Sequence, residues 1–184
     1  MSASLVGSEM CIRDRLQKAK DAEADLVFLP IYYQEASAIL QQAAKLDYHP
    51  TFFGCDGLDG ILGVENFDTS LAEGVMLLTP FAADAQDDLT KKFVSAYETA
   101  YNDTPNQFAA DAYDAVYAIK AAAEKGNVAP SDGVSGICDK MKAAMQEITV
   151  DGLTGEGMNW AADGTVNKAP KAMEIKNGAY ALVQ

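Results

Sequence analysis

Residues Asp25 to Gly60, DLVFLPIYYQEASAILQQAAKLDYHPTFFGCDGLDG, decide how this chain folds. Leu26–Leu29 are apolar at consecutive positions and are stopped by Pro30, a pattern that suits a strand buried on both faces of a parallel sheet. Ala36, Ile39, Leu40, Ala43 and Ala44 then recur at three- and four-residue spacing, which places them on one face of a helix. TFFG, residues 51–54, is a second short strand, and it breaks into the Gly-rich turn CDGLDG. The stretch reads strand, helix, strand. In a parallel sheet both strands of such a unit end at one edge, where ligands bind in open α/β folds. Tyr32 and Tyr33 follow the first strand and Asp56 the second, so two aromatics and a carboxylate are expected on one rim.

Composition frames that unit. The chain has 184 residues, 49% of them hydrophobic and 22% charged, enough apolar content for a buried core. A net charge of −13 argues against nucleic acid or an anionic membrane surface as partner, since both need cationic patches. No apolar run approaches the roughly 18 residues of a membrane span. Cys11, Cys55 and Cys138 lie far apart, and His49 is the single histidine. That argues against a structural zinc site or a Cys/His nucleophile pair, and Cys55 is expected as a small buried residue beside the rim turn.

Residues 1–15, MSASLVGSEMCIRDR, lack the continuous apolar segment of a signal peptide and read as a non-native or disordered leader. Leu16–Ala24 read as the tail of a helix whose Leu16, Ala19 and Lys20 side packs on the sheet. After the central unit, 60–72 is irregular, and Gly74–Pro80 is a third buried strand ended by proline. Asp87 and Asp88 open an amphipathic helix with Leu89, Phe93, Tyr97, Ala100 and Tyr101 on its apolar side. NDTP, 102–105, breaks it.

A second helix, about 107–125, carries Phe108, Ala112, Ala115, Val116, Ile119 and Ala123 as its stripe and stops at Gly126. Ser131 or Asp132 caps a third, with Val134, Ile137, Met141, Ala144, Met145 and Ile148. From Gly152 the period becomes that of strands, and Asn177-Gly178 is a strong hairpin signal. Three strands precede three helices that have no strands of their own to cover. The chain therefore looks like part of a larger α/β protein.

The ordered series of segments carries a resemblance: DLVFLPIYYQEASAILQQAAKL, TFFGCDGLDG, AEGVMLLTPFAAD, FVSAYETAYNDTPNQFAADAYDAVYAIKAAAEKG and GLTGEGMNWAADGTVNKAPKAMEIKNGAYALV. Together they resemble the C-terminal half of a type I periplasmic substrate-binding protein of an ABC importer, in the leucine/isoleucine/valine-binding class. The resemblance implies an incomplete α/β fold of that type. Residues 16–79 would be most of the second doubly wound lobe, 80–149 the closing helices of the first, and 150–184 a β-strand return to the second. A first-lobe sheet and a signal would belong to the full-length protein.

The resemblance also implies a ligand site and its residues. A cleft tyrosine falls on Tyr32, with Tyr33 its neighbour. The acid that meets a ligand's α-ammonium falls on Asp56, and Asp59 matches a frequent acid of the same turn. An aromatic approaching the ligand from the other lobe falls on Phe108. The first-lobe Ser/Thr segment that grips the α-carboxylate has no counterpart here. The implied function is extracytoplasmic, periplasmic or lipoprotein-anchored: binding a small amino acid between two lobes that close around it. Delivery is to a membrane permease, with no cofactor, metal or enzymatic step. A ligand-sensing receptor domain of the same fold, or a non-functional fragment, is the alternative.

By residue chemistry alone these positions have other readings. Asp56 fits a solvated turn aspartate accepting backbone N–H bonds as well as an ammonium partner. Tyr32 could offer a ring face and a hydroxyl to a ligand or pack on the sheet edge, and packing suits Tyr33 better. Phe108 alone reads as helix core. Tyr97, Tyr101, Tyr113 and Tyr117 lie on helical stripes and read as packing. Asp56 and Asp59 as an acid–base pair lack an activated nucleophile or metal-ligand histidines. DGLDG fails the calcium-loop pattern, and GLTGEG precedes strands rather than a helix, unlike a phosphate loop.

Overall fold

Two short strands held parallel by an intervening helix set the architecture. A computed structural model describes residues 9–183. The expected leader falls partly outside them: residues 1–8 are not described, whereas 9–15 are helical and belong to α1 (Glu9–Asp21). The helix is therefore longer than the tail expected from Leu16. Leu16 is buried, and Lys20 Nζ donates to the carbonyls of Leu46 at 2.6 Å and Asp47 at 3.0 Å. These carbonyls end α2 (Tyr33–Lys45), where a cation suits the helix dipole.

β1 (Leu26–Leu29) pairs in parallel with β2 (Thr51–Gly54), Leu26 opposite Thr51 and Leu29 opposite Gly54. β2 pairs in parallel with β3 (Met76–Thr79), which pairs antiparallel with β4 (Lys171–Lys176), and β4 with β5 (Ala179–Leu182). The spatial order follows the chain order, leaving β1 outermost. The expected Asn177-Gly178 turn joins β4 to β5, with φ of 53° and 72°, the left-handed pair a tight hairpin needs.

Alternation along the strands separates two faces of this sheet. Leu29, Phe52, Leu77, Met173 and Ile175 share one face and are buried. Leu26 and Phe28, on the other, remain 54% and 51% exposed, with Phe28 stacked on Phe53 at 5.9 Å between ring centroids. The expectation that β1 is buried on both faces is corrected here. An outermost strand with one covered face can be apolar at every position and still show half of them to solvent.

The chain divides into two compact units, one of residues up to 82 with those from 171 onward, the other of residues 83–170. The second contains α3 (Asp88–Tyr101), α4 (Gln107–Lys125) and α5 (Gly133–Met145). Asp87 caps α3, its Oδ1 accepting the Thr90 N–H at 2.8 Å, and Asn102 ends it in the left-handed region. The sequence places the β return at 150. In the structure residues 150–170 stay with the helices, through isolated bridges Val150–Met158 and Trp160–Val166, and the sheet resumes at Lys171. Ala118, Ala122, Ala144, Ile148, Val150 and Met158 form the core of this unit.

That core leaves the apolar stripe of α4 uncovered, as expected of helices with no strands of their own. The buried face is Ala110, Asp114, Ala118 and Ala122, while Val116 and Ile119 are 65% and 57% exposed. Small side chains permit α5 and the 150–158 segment to approach closely, so the alanine face is the packed one. The tyrosines of α3 and α4 pack on one another. Phe93 lies 5.1 Å from Tyr113 and 6.0 Å from Tyr97, with Tyr97–Tyr101 at 4.6 Å and Tyr113–Tyr117 at 4.8 Å.

Candidate functional site

The register of β1 and β2 brings their exits together. Leu29 and Gly54 are opposite one another, so Pro30–Tyr32 and Cys55–Leu58 leave the sheet side by side at its carboxyl edge. Tyr32 is extended (φ −85°, ψ 161°) at the N-cap of α2, and its carbonyl accepts the Ala36 N–H at 3.0 Å. Its side chain is 64% exposed. Tyr33 is the first residue of α2 and half-buried. Cys55 is also half-buried rather than fully enclosed as expected.

Asp56–Leu58 form a single 3₁₀ turn anchored by the fully buried Leu58. Gly57 lies against the β1 exit: a Cβ there would sit 2.6 Å from the Ile31 carbonyl oxygen and 3.4 Å from Tyr32 Cα. Only glycine allows this backbone-to-backbone approach. Because Asp56 adjoins Gly57, and Gly57 touches Tyr32, the sequence fixes the aspartate and the tyrosine on one lip. Asp56 is exposed there.

Asp59 is placed differently. It is 5% exposed, and its N–H donates to the Asp56 carbonyl at 3.0 Å. Beside it lies the Tyr180 phenol, whose oxygen accepts the Gly60 N–H at 2.9 Å. Burial pushes the Tyr180 pKa up to about 12, with the Asp59 carboxylate adding to the effect and the amides of Gly60, Leu62 and Ile61 opposing it. The two acids of DGLDG thus sit in different surroundings, Asp56 in solvent and Asp59 inside. Sequence reading missed Tyr180. Its signal was the alternation of β5, which places Tyr180 on the same sheet face as Ile175.

The third parallel strand exits at the same edge. Thr79 is buried, and its Oγ1 both accepts the Phe81 N–H and donates to the Phe81 carbonyl, each at 3.2 Å, closing the turn over Pro80. Phe81, expected in a loop, is buried.

Phe108 belongs to the helical unit, at the second position of α4, where Asn106 Oδ1 caps the Ala109 N–H at 3.2 Å. It is partly exposed, not a core residue. The same helix carries a buried acid that sequence reading passed over. Asp114 accepts the N–H groups of Leu153 at 2.9 Å and Thr154 at 2.8 Å, and the Thr154 hydroxyl at 2.7 Å. An acid spaced four residues from Ala110 and from Ala118 was the signal. Two shallow depressions, of ≈ 590 Å³ along 91–100 and ≈ 490 Å³ between α2 and 66–71, contain none of the candidate residues. Among the described residues no group of His, Cys, Asp and Glu could hold a metal ion, and no helix is long and apolar enough to cross a membrane.

The parallel strands of this open sheet release a tyrosine and an aspartate at one lip, and comparison with known proteins identifies the class of protein. Residues 13–179 match the model of the periplasmic binding protein family, so the chain belongs to that family. Its fold is an incomplete type I periplasmic-binding-protein fold, and its structural neighbours include leucine- and branched-chain-amino-acid-binding proteins. A branched-chain amino acid transporter substrate-binding protein of Streptococcus pneumoniae, in complex with isoleucine, is similar at 27% identity and TM-score 0.74, over 92% of this chain and 47% of that one. A leucine-binding protein of Thermotoga maritima shares the fold at 22% identity and TM-score 0.75, over 93% and 47%. So does an ABC-transporter solute-binding protein of R. palustris in complex with benzoate, at 18% and 0.77, over 92% and 45%. The chain spans about half the length of these proteins. No curated protein matches it in sequence.

Proposed function

We propose that the chain is part of an extracytoplasmic solute-binding protein of an ABC importer, which binds a small amino acid, branched-chain or related, and hands it to a membrane permease. The observation that carries this reading is the exposed Asp56 on the lip it shares with Tyr32. A carboxylate there selects a positive group, and a charge-assisted bond to an ammonium is about twice as strong as a neutral one. The Tyr32 ring beside it adds a cation–π surface. Tyr33 extends the aromatic wall. Asp59 supports the turn from inside, and its charge adds to the negative potential of the rim. Phe108 is assigned, by resemblance to the family, to the opposing lobe. Closing two lobes around the ligand is the transport-competent state, and the protein catalyses nothing.

Amide-resolved NMR titration with L-leucine tests this. The chain spans about half the length of its structural neighbours, so binding by it alone is expected to be weak, with Kd above about 1 mM. The shifts should centre on Tyr32 and Asp56. They should vanish in Asp56→Asn and be absent with 4-methylpentanoate, which lacks the ammonium. Equal shifts with both compounds would overturn the assignment of Asp56.

A further inference from the structure

We propose that Tyr180, reaching from β5, is the positioning residue of this rim: its hydroxyl fastens the Gly60 amide and so fixes the turn that presents Asp56. The inference rests on the reading of Asp56 as the ammonium acceptor.

The turn after β2 has little of its own to hold it. Asp56–Leu58 and Ile61–Gly63 are single 3₁₀ turns, too short to be stable by their own backbone bonds. Gly60 stands at the N-cap of the second, at φ 104°, where only glycine is unstrained, and it has no side chain with which to cap. The amides of such a turn need an acceptor. Tyr180 Oη supplies it at 2.9 Å, from a residue far along the chain. Leu58 and Ile61 anchor the segment by apolar burial. Apolar contacts are non-directional, and a hydrogen bond adds direction to them.

The hydroxyl supplies one such directional bond. Its influence reaches Asp56 through a short relay, because the Asp59 N–H binds the Asp56 carbonyl at 3.0 Å and the Leu58 N–H binds that of Cys55 at 3.2 Å. Burial keeps the phenol protonated far above neutrality, so it is the same acceptor at every physiological pH.

The test compares the parent chain with Tyr180→Phe, which keeps the ring and removes the oxygen. Ile175→Val, at the position paired with Tyr180, loosens the packing beside the ring but leaves the hydroxyl in place. Hydrogen exchange at the Gly60 amide and L-leucine titration are both read by NMR. In Tyr180→Phe, Gly60 exchange is expected to rise about tenfold, the equivalent of one hydrogen bond, and leucine affinity to fall several-fold. Ile175→Val should change neither beyond its effect on global stability. If Tyr180→Phe behaves as Ile175→Val does while Asp56→Asn abolishes the leucine shifts, the positioning role is wrong and the site stands. If Asp56→Asn leaves those shifts intact, or the parent shows none, the reading of the site fails and the positioning role with it.

Discussion

Two polar side chains, the buried Asp114 and the half-buried Tyr180, each tie a loop to a regular element, and each exposes a testable free energy. Asp114 holds three donors of the 153–154 turn without a cation among them. Asparagine there would present an amide to a donor, leaving at least one bond unmade in the interior. Asp114→Asn is expected to destabilise by about 2–3 kcal/mol in urea denaturation, with an unchanged m-value.

Tyr180 gives a pH dependence. Its folded pKa is raised from 10.0 to about 12, so the neutral phenol is favoured in the folded state. The contribution is complete below pH 10 and is lost as pH rises from 10 towards 12, amounting to at most about 2–3 kcal/mol. Denaturation of the parent and of Tyr180→Phe across that range checks it, the variant losing the steeper decline. Neither residue was legible as a site in the sequence. A single Asp within an alanine stripe and a single Tyr within a strand declare burial only once the neighbouring element is known. Asp56 and Tyr32 were legible, because their position follows from strand ends alone.

At the scale of elements, the local signals with a steric cause were the ones that could be read. Asn177-Gly178 forms the hairpin turn, and Glu73 accepts the Asn177 N–H at 2.7 Å and the Gly178 N–H at 3.3 Å, fixing it further. Asp87 and Asn102 bound α3 for equally local reasons. The buried face of α4 was not readable, since periodicity ranks Val116 and Ile119 above alanine, whereas close packing prefers the reverse.

The rim turn yields an element-level prediction. At φ 104°, Gly60→Ala should destabilise by about 1–2 kcal/mol, and its thermal midpoint should fall below that of Gly63→Ala, a site with open space and no left-handed φ.

For the whole molecule, the fold class and the uncovered helix faces were legible from segment order, while the exposed side of β1 was not. Val116 and Ile119 in the helical unit, and Leu26 and Phe28 in the sheet unit, are large side chains in solvent. Replacing Val116 and Ile119 together by Ser should change stability by no more than about 0.5 kcal/mol each, as at other exposed positions. It should also lower the binding of an apolar fluorescent dye and reduce self-association in sedimentation velocity, because contiguous exposed apolar surface drives association.

The outermost place of β1 has one more consequence, for how the chain behaves in a crowded solution. Its far side offers peptide groups to any strand that arrives, and Leu26 and Phe28 give such an arrival a greasy footing. Concentrating the protein should therefore feed ribbon growth, read as rising thioflavin fluorescence. One lysine in place of Phe28, a gatekeeper at the open flank, should slow that growth while the opposite, buried face of the sheet keeps its contacts.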